Sequence, residues 1–163
     1  MTPIIVELMI ELYYPNWLYQ ELIDNCLPWQ SGKNISFGDF KKQYTLHDSH
    51  WIGIFYNIGY EQAITLAIEW DAVWLPDEIK KSLTVGEPYL FIQLTGIEQV
   101  STANYVDIGI GLVSQAIADC EVEEVEGKKF LAVDNVFGGQ INIVYKGQET
   151  FLALEKDRSI LRI

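Results

Sequence analysis

Apolar and polar residues alternate over two successive stretches within the segment 44–76. The stretches run over 51–58 and 64–71, and both are rich in β-branched and aromatic residues. Alternation with a period of two is typical of a strand with one buried face. The link at 57–61 is short enough to require antiparallel pairing. The first strand has apolar residues on both sides, which predicts a central place in the sheet.

Helices are predicted mainly in the first part of the chain. Asn16 is placed to cap a helix over 17–25, and Ser36 to cap one or two turns ending near residue 42. The apolar residues expected on the buried side of the first helix are Leu18, Leu22 and Ile23. The stretch 4–14 fits either a helix or a strand, with helix preferred. A further helical turn is predicted at 77–81, where acidic residues come first and lysines last.

Strands dominate the rest of the chain. A strand is predicted over 89–100 with a bulge at Gly96, followed by a turn over 101–105 and a helix over 107–118. A C-terminal β-meander is expected, with strands at 120–125, 129–136, 140–146 and 150–154, and a short edge strand within 158–163. This segregation predicts an α+β fold, with a mainly antiparallel sheet and helices near the N-terminus. No repeat or linker divides the sequence, so one domain over 1–163 is expected.

The charge balance narrows the possible partners. Eleven basic residues stand against twenty-three acidic ones, for a net charge of −12. Such a surface repels phosphate backbones and anionic lipid, so neither nucleic acid nor membrane is expected as a partner. The acidity either only keeps the protein soluble or favours a protein partner, especially a basic one, through steered association. Glu7 and Glu11 interrupt the apolar N-terminal stretch, which argues against a signal peptide and for a cytoplasmic location. Cys26 and Cys120 are expected to be buried, reduced thiols.

Both histidines lie in the segment His47-Asp48-Ser49-His50. On a strand only Asp48 and His50 would share a face, so the two histidines could not bind one metal ion without a bulge. We expect a strand-entry segment in which Asp48 or Ser49 bonds local backbone and His50 is partly buried. Partner contact, or a ligand or catalytic role for Asp48 and His50, stays open. No catalytic residue, metal ligand or cofactor is assigned.

Two tryptophans, Trp70 and Trp74, are interleaved with carboxylates. They fit either the core or an interface, because an exposed aromatic ring rimmed by carboxylates suits a basic protein surface. The candidate partner-binding residues are Asp48, His50, Glu69, Trp70, Asp71, Trp74, Asp77 and Glu78. A second acidic block at 119–126 alternates with apolar residues and predicts a strand with one solvated face, which would also suit a basic surface.

The segment 45–70, TLHDSHWIGIFYNIGYEQAITLAIEW, resembles small bacterial α+β domains in which a Leu-His-Asp-Ser-like entry leads into a hairpin and a tryptophan-bearing strand follows. Several such families look like immunity proteins of bacterial toxin systems. The resemblance implies a non-enzymatic protein that neutralises a toxin by binding it, and the acidity would suit a basic toxin. The alternatives are a structural interaction domain, or a small-ligand binder or enzyme using Asp48 and His50.

Overall fold

The computed structural model describes residues 14–57, 62–84, 86–103, 116–136 and 138–163. Within these ranges there are three α-helices: α1 (Asn16–Asp24), α2 (Phe37–Gln43) and α3 (Asp77–Ser82). Short 3₁₀ helices cover Trp29–Ser31 and Ala72–Trp74. The described strands are β1 (His50–Asn57), β2 (Ala63–Glu69), β3 (Tyr89–Leu94), β4 (Ile97–Ala103), β5 (Ile117–Val125), β6 (Lys128–Asn135), β7 (Gln140–Tyr145), β8 (Glu149–Leu154) and β9 (Ile160–Leu161).

These strands form two antiparallel sheets. The first sheet has five strands in the order β1-β2-β3-β8-β9, and the second has four in the order β4-β7-β6-β5. The helices lie mostly toward the N-terminus and strands fill the C-terminal part. The predicted α+β class with antiparallel pairing is therefore confirmed. The single domain over 1–163 includes undescribed residues and stays a prediction.

Two apolar clusters hold the layers together. The larger one lies between the sheets and includes inward-facing residues of both, such as Ile92 and Ile143, together with Phe40 of α2. The smaller one lies on the opposite face of the five-stranded sheet, where Leu18 and Leu22 of α1 pack near Phe91. Because successive residues of a strand point to opposite faces, β2 and β3 serve both clusters and are almost completely buried.

The predicted hairpin is confirmed, with His50 opposite Glu69 and Asn57 opposite Ala63. Among the described strands β1 lies at the edge of its sheet, and not in the centre as predicted. Its apolar residues on both sides have another cause. Ile54 packs against the larger cluster and Phe55 against the smaller one, so an edge strand is covered on both faces.

The single strand predicted over 89–100 is in fact two strands. Gly96, with a φ of +66°, lies where the chain leaves β3 in one sheet and enters β4 in the other. A second crossing, between β7 and β8, passes beside it. There Gly147 N–H donates to Thr95 O at 2.9 Å, and a Cβ atom on Gly96 would lie 2.8 Å from Gly147 N. The four-strand meander is thus limited to β5, β6 and β7, because β8 joins the other sheet. The turn predicted at 101–105 is also wrong for residues 101–103, which still belong to β4.

The predictions for the helices are partly confirmed. Ser36 caps α2 by accepting the Asp39 N–H at 3.1 Å, as expected. The cap of α1 is Pro15 rather than Asn16. Ile23 is 72% exposed, because it lies about 100° around the helix from Leu22. The helical turn at 77–81 is confirmed as α3.

The predicted burial of both cysteines holds for Cys120 and fails for Cys26, which is exposed in the loop after α1.

The predicted helix over 107–118 lies largely outside the described residues, but Ile117 and Ala118 begin β5. The prediction for 4–14 also lies outside them, except for Tyr14. No helix in the described part of the chain is long and apolar enough to span a membrane.

Candidate functional site

A tightly held turn follows β2 and carries the two most exposed apolar side chains of this region. Asp71 begins the turn, and its carboxylate accepts the Val73 N–H at 2.9 Å. The Asp71 N–H in turn donates to Ser49 Oγ at 2.9 Å, and the Ala72 N–H donates to the Glu87 carboxylate. These bonds tie the turn to the segment before β1 and to the segment before β3. The start of the 3₁₀ helix Ala72–Trp74 is therefore tied to two distant segments of the chain.

The structure separates the two candidate tryptophans. Trp70 is 0% exposed, and its indole N–H donates to Thr45 O at 2.9 Å. Its ring packs against Phe40 and Tyr44, with centroids 5.8 and 5.4 Å away. The interface role allowed for Trp70 is thus wrong, because its side chain belongs to the core. Trp74 is 49% exposed and available for contact.

The His47–His50 segment does not form the face predicted from a strand. His47 and Asp48 form a turn before β1, and Asp48 has a φ of +64°. The His47 ring spans two neighbours: Nδ1 lies 2.7 Å from Ala118 O, and Nε2 lies 3.4 Å from an Asp48 carboxylate oxygen. Asp48 therefore pairs with His47, and the shared face predicted for Asp48 and His50 is absent because only His50 has entered the strand.

Ser49 and His50 support the hairpin. Ser49 is completely buried, and its hydroxyl accepts the Asp71 N–H rather than the local backbone predicted for it. His50 is partly buried, as expected, and lies opposite Glu69. Among the described residues, no group of three or more His, Cys, Asp or Glu side chains could hold a metal ion.

The remaining candidate carboxylates differ in availability. Glu69 and Asp71 are only partly exposed, and Asp71 is used to cap the 3₁₀ helix. Asp77 and Glu78 are exposed in the first turn of α3, three and four residues beyond Trp74. The helix dipole favours negative charge at a helix N-terminus, which is where both carboxylates lie.

Exposed side chains of the entry segment and of the turn lie side by side. The His47 ring contacts the Trp74 ring edge-on at 5.5 Å, which brings the entry segment against the turn. Val73, 64% exposed, adds apolar area that sequence reasoning did not single out. We call the group consisting of His47, Asp48, Val73, Trp74, Asp77 and Glu78 the Trp74 surface. In the sequence, the Ala-Val-Trp run after Asp71 was a signal for a short capped helix. The exposure of Val73 and Trp74 could not be predicted from it, because exposure depends on tertiary packing.

The acidic strand β5 begins beside this surface, since Ala118 O contacts His47. Its exposed carboxylates alternate with buried or half-buried residues, which confirms the predicted solvated face. These carboxylates are Asp119, Glu121 and Glu123. Cys120 points inward, and burial raises the pKa of its thiol to about 11. A thiol with this pKa is not a nucleophile at neutral pH.

The chain was compared with protein-family models, curated proteins and solved structures. No family model matches it. No curated protein and no solved structure matches it either. The resemblance to bacterial immunity families therefore stays a prediction from the residues of the hairpin.

Proposed function

We propose that this protein acts by binding another protein, and that the Trp74 surface is the contact. The observation that carries the proposal is the exposure of Val73 and Trp74, at 64% and 49%, on a turn fixed by hydrogen bonds. Large aromatic side chains dominate interface energetics when a partner buries them. A turn that is already ordered loses little conformational entropy on binding.

The charge of the surface supports a basic partner. The half-exposed Asp48 carboxylate lies beside His47, whose ring contacts Trp74, and the exposed Asp77 and Glu78 follow Trp74 along the chain. The whole chain carries −12. Opposite charge on a partner would raise the association rate and make it sensitive to salt. The resemblance of the hairpin segment supports a specific form of this function: neutralisation of a basic bacterial toxin in the cytoplasm, without catalysis.

The test uses immobilised protein and lysate of the native cell at low and high salt, followed by mass spectrometry. We expect a basic protein that is retained at low salt by the wild type and lost with Trp74→Ser. Tyr56→Ser is the matched control, because Tyr56 is an exposed aromatic residue (61%) outside the Trp74 surface. With the purified partner, Trp74→Ser should weaken binding by about thirtyfold, the effect of a typical interface anchor.

The charge contribution is tested separately with the double variant Asp77→Asn, Glu78→Gln. It should slow association and reduce the salt dependence, with little effect on the dissociation rate. If Tyr56→Ser reduces retention as much as Trp74→Ser does, the contact lies elsewhere. If the partner is a toxin, co-expression of the wild type should restore growth and Trp74→Ser should not. Capture of a protein whose binding ignores both Trp74 and salt would refute the proposal.

A further inference from the structure

A cleft of about 570 Å³ lies along the outer edge of β8. Two separate segments share this edge. Lys33 pairs with Phe151 through two backbone hydrogen bonds of 2.7 and 2.9 Å, whereas β9 pairs with Ala153 and Leu154. The cleft is the space between the segment 31–33 and the segment 160–163, with β8 between them. Its volume is within the range of sites that bind small molecules.

The walls of the cleft are held in place without a ligand. Gly32 lies so close to β8 that a Cβ atom on it would meet the Thr150 side chain at 2.8 Å. The Thr150 hydroxyl also donates to Asn34 Oδ1 at 2.7 Å, which fixes the segment just after the first wall. On the other wall, Leu161 is 4% exposed and anchors β9 in the larger cluster. The cleft is therefore preformed, which lowers the entropic cost of binding.

The charged side chains that line the cleft are both basic, in a chain with twice as many acidic as basic residues. They are Lys33 and Arg162, and neither forms an ion pair with another residue of the described ranges. Six other basic residues do pair with carboxylates: Lys41, Lys42, Lys128, Lys129, Lys146 and Arg158. A backbone carboxylate at Ile163 would add one negative charge, and the two side-chain cations would still give the cleft a net positive charge.

We propose that this cleft binds a small organic carboxylate with an apolar body. The guanidinium of Arg162 can hold a carboxylate in a bidentate manner, and Lys33 adds a second cation from the opposite wall. The apolar body would lie against Ile160, which is 45% exposed, and the partly buried Ile163. The cleft shares no residue with the Trp74 surface, so this proposal does not depend on the proposed function.

The test is a titration of the ¹⁵N-labelled full chain with 4-phenylbutyrate, followed by backbone amide shifts. The neutral 4-phenylbutyramide tests the charge, and acetate tests the apolar body. We expect saturable shifts at Gly32, Lys33 and Arg162 with phenylbutyrate, and at least about tenfold weaker binding of both controls. The double variant Lys33→Gln, Arg162→Gln should weaken phenylbutyrate binding by about tenfold or more.

The matched control is Lys80→Gln, Lys81→Gln on α3, which removes two exposed lysines outside the cleft. It should leave binding unchanged. If this control weakened phenylbutyrate binding as much as Lys33→Gln, Arg162→Gln does, overall charge would explain the effect and the proposal would be overturned. Equal binding of the amide and the carboxylate would also overturn it. So would the absence of saturable shifts at the cleft with phenylbutyrate, octanoate and indole-3-acetate up to about 10 mM, a limit that excludes even millimolar affinity.

Discussion

Replacing Trp70 by phenylalanine should destabilise the fold strongly, whereas the same change at Trp74 should not. Trp70 is 0% exposed, and its ring packs against Phe40 and Tyr44 in the larger cluster. Trp74 is 49% exposed. The two substitutions are chemically identical, so the difference between them measures the environment alone.

The expected loss at Trp70 has three parts. The smaller ring buries roughly 40 Å² less apolar surface, which is about 1 kcal/mol at 25 cal per Å². The vacated space, on the order of 35 Å³, adds about 0.9 kcal/mol if it does not collapse. The Thr45 carbonyl loses the indole N–H that lies 2.9 Å away, which costs about 1 kcal/mol. The free energy of unfolding should fall by about 3 kcal/mol in total.

The assay is urea unfolding followed by far-UV circular dichroism, which does not depend on tryptophan emission. Trp70→Phe should lower the midpoint at an unchanged m value. In a chain of this size, the melting temperature should fall by about 6–12 °C. Trp74→Phe should change stability by less than about 0.5 kcal/mol. A loss at Trp70 no larger than that at Trp74 would show that Trp70 is not a core residue and would refute the reasoning.

Three further predictions concern other parts of the fold. Glu149 is 5% exposed and is held by Lys129 at 2.9 Å and by the Tyr145 hydroxyl. Lys129→Met should therefore lower the free energy of unfolding, measured with urea, by about 2 kcal/mol, because it leaves a buried carboxylate unpaired. Adding Glu149→Gln should recover part of this loss. If nothing is recovered, the buried charge is not the cause. A thiol reagent at about pH 8 should modify one cysteine per folded chain, Cys26, and two after denaturation, because Cys120 is buried with a pKa raised to about 11. The Cys120 thiol ionises at a lower pH in the unfolded chain than in the folded one. Its contribution to the free energy of unfolding should therefore be complete below about pH 8.5 and decline as the pH rises toward about 11. Cys120→Ala should reduce this decline. Glu126 has a φ of +52° in the β5–β6 turn, so Glu126→Asn should raise the melting temperature slightly, whereas Glu126→Val should lower it.

Features that depend on a few neighbouring residues could be predicted from the sequence. The alternation of Ile64, Leu66 and Ile68 was enough to predict β2, because side chains of a strand repeat with a period of two. The short link before them forced β1 and β2 to pair antiparallel. The Ser36 cap of α2 likewise involves a hydrogen bond only three residues away. The α+β class followed from the order of such local elements.

Only the tertiary structure decided where the elements and the candidate site residues lie. The β1 strand looked central because both its faces are apolar, but sheet order depends on which strands meet across long separations. Trp70 and Trp74 have similar acidic neighbours in sequence. Trp70 is buried because Thr45 and Phe40, more than twenty residues earlier, close around it. Trp74 is exposed because the Asp71 cap and the distant Ser49 hydroxyl turn the chain out of the core. Burial is a property of these long-range contacts, and no local pattern in a single sequence contains them.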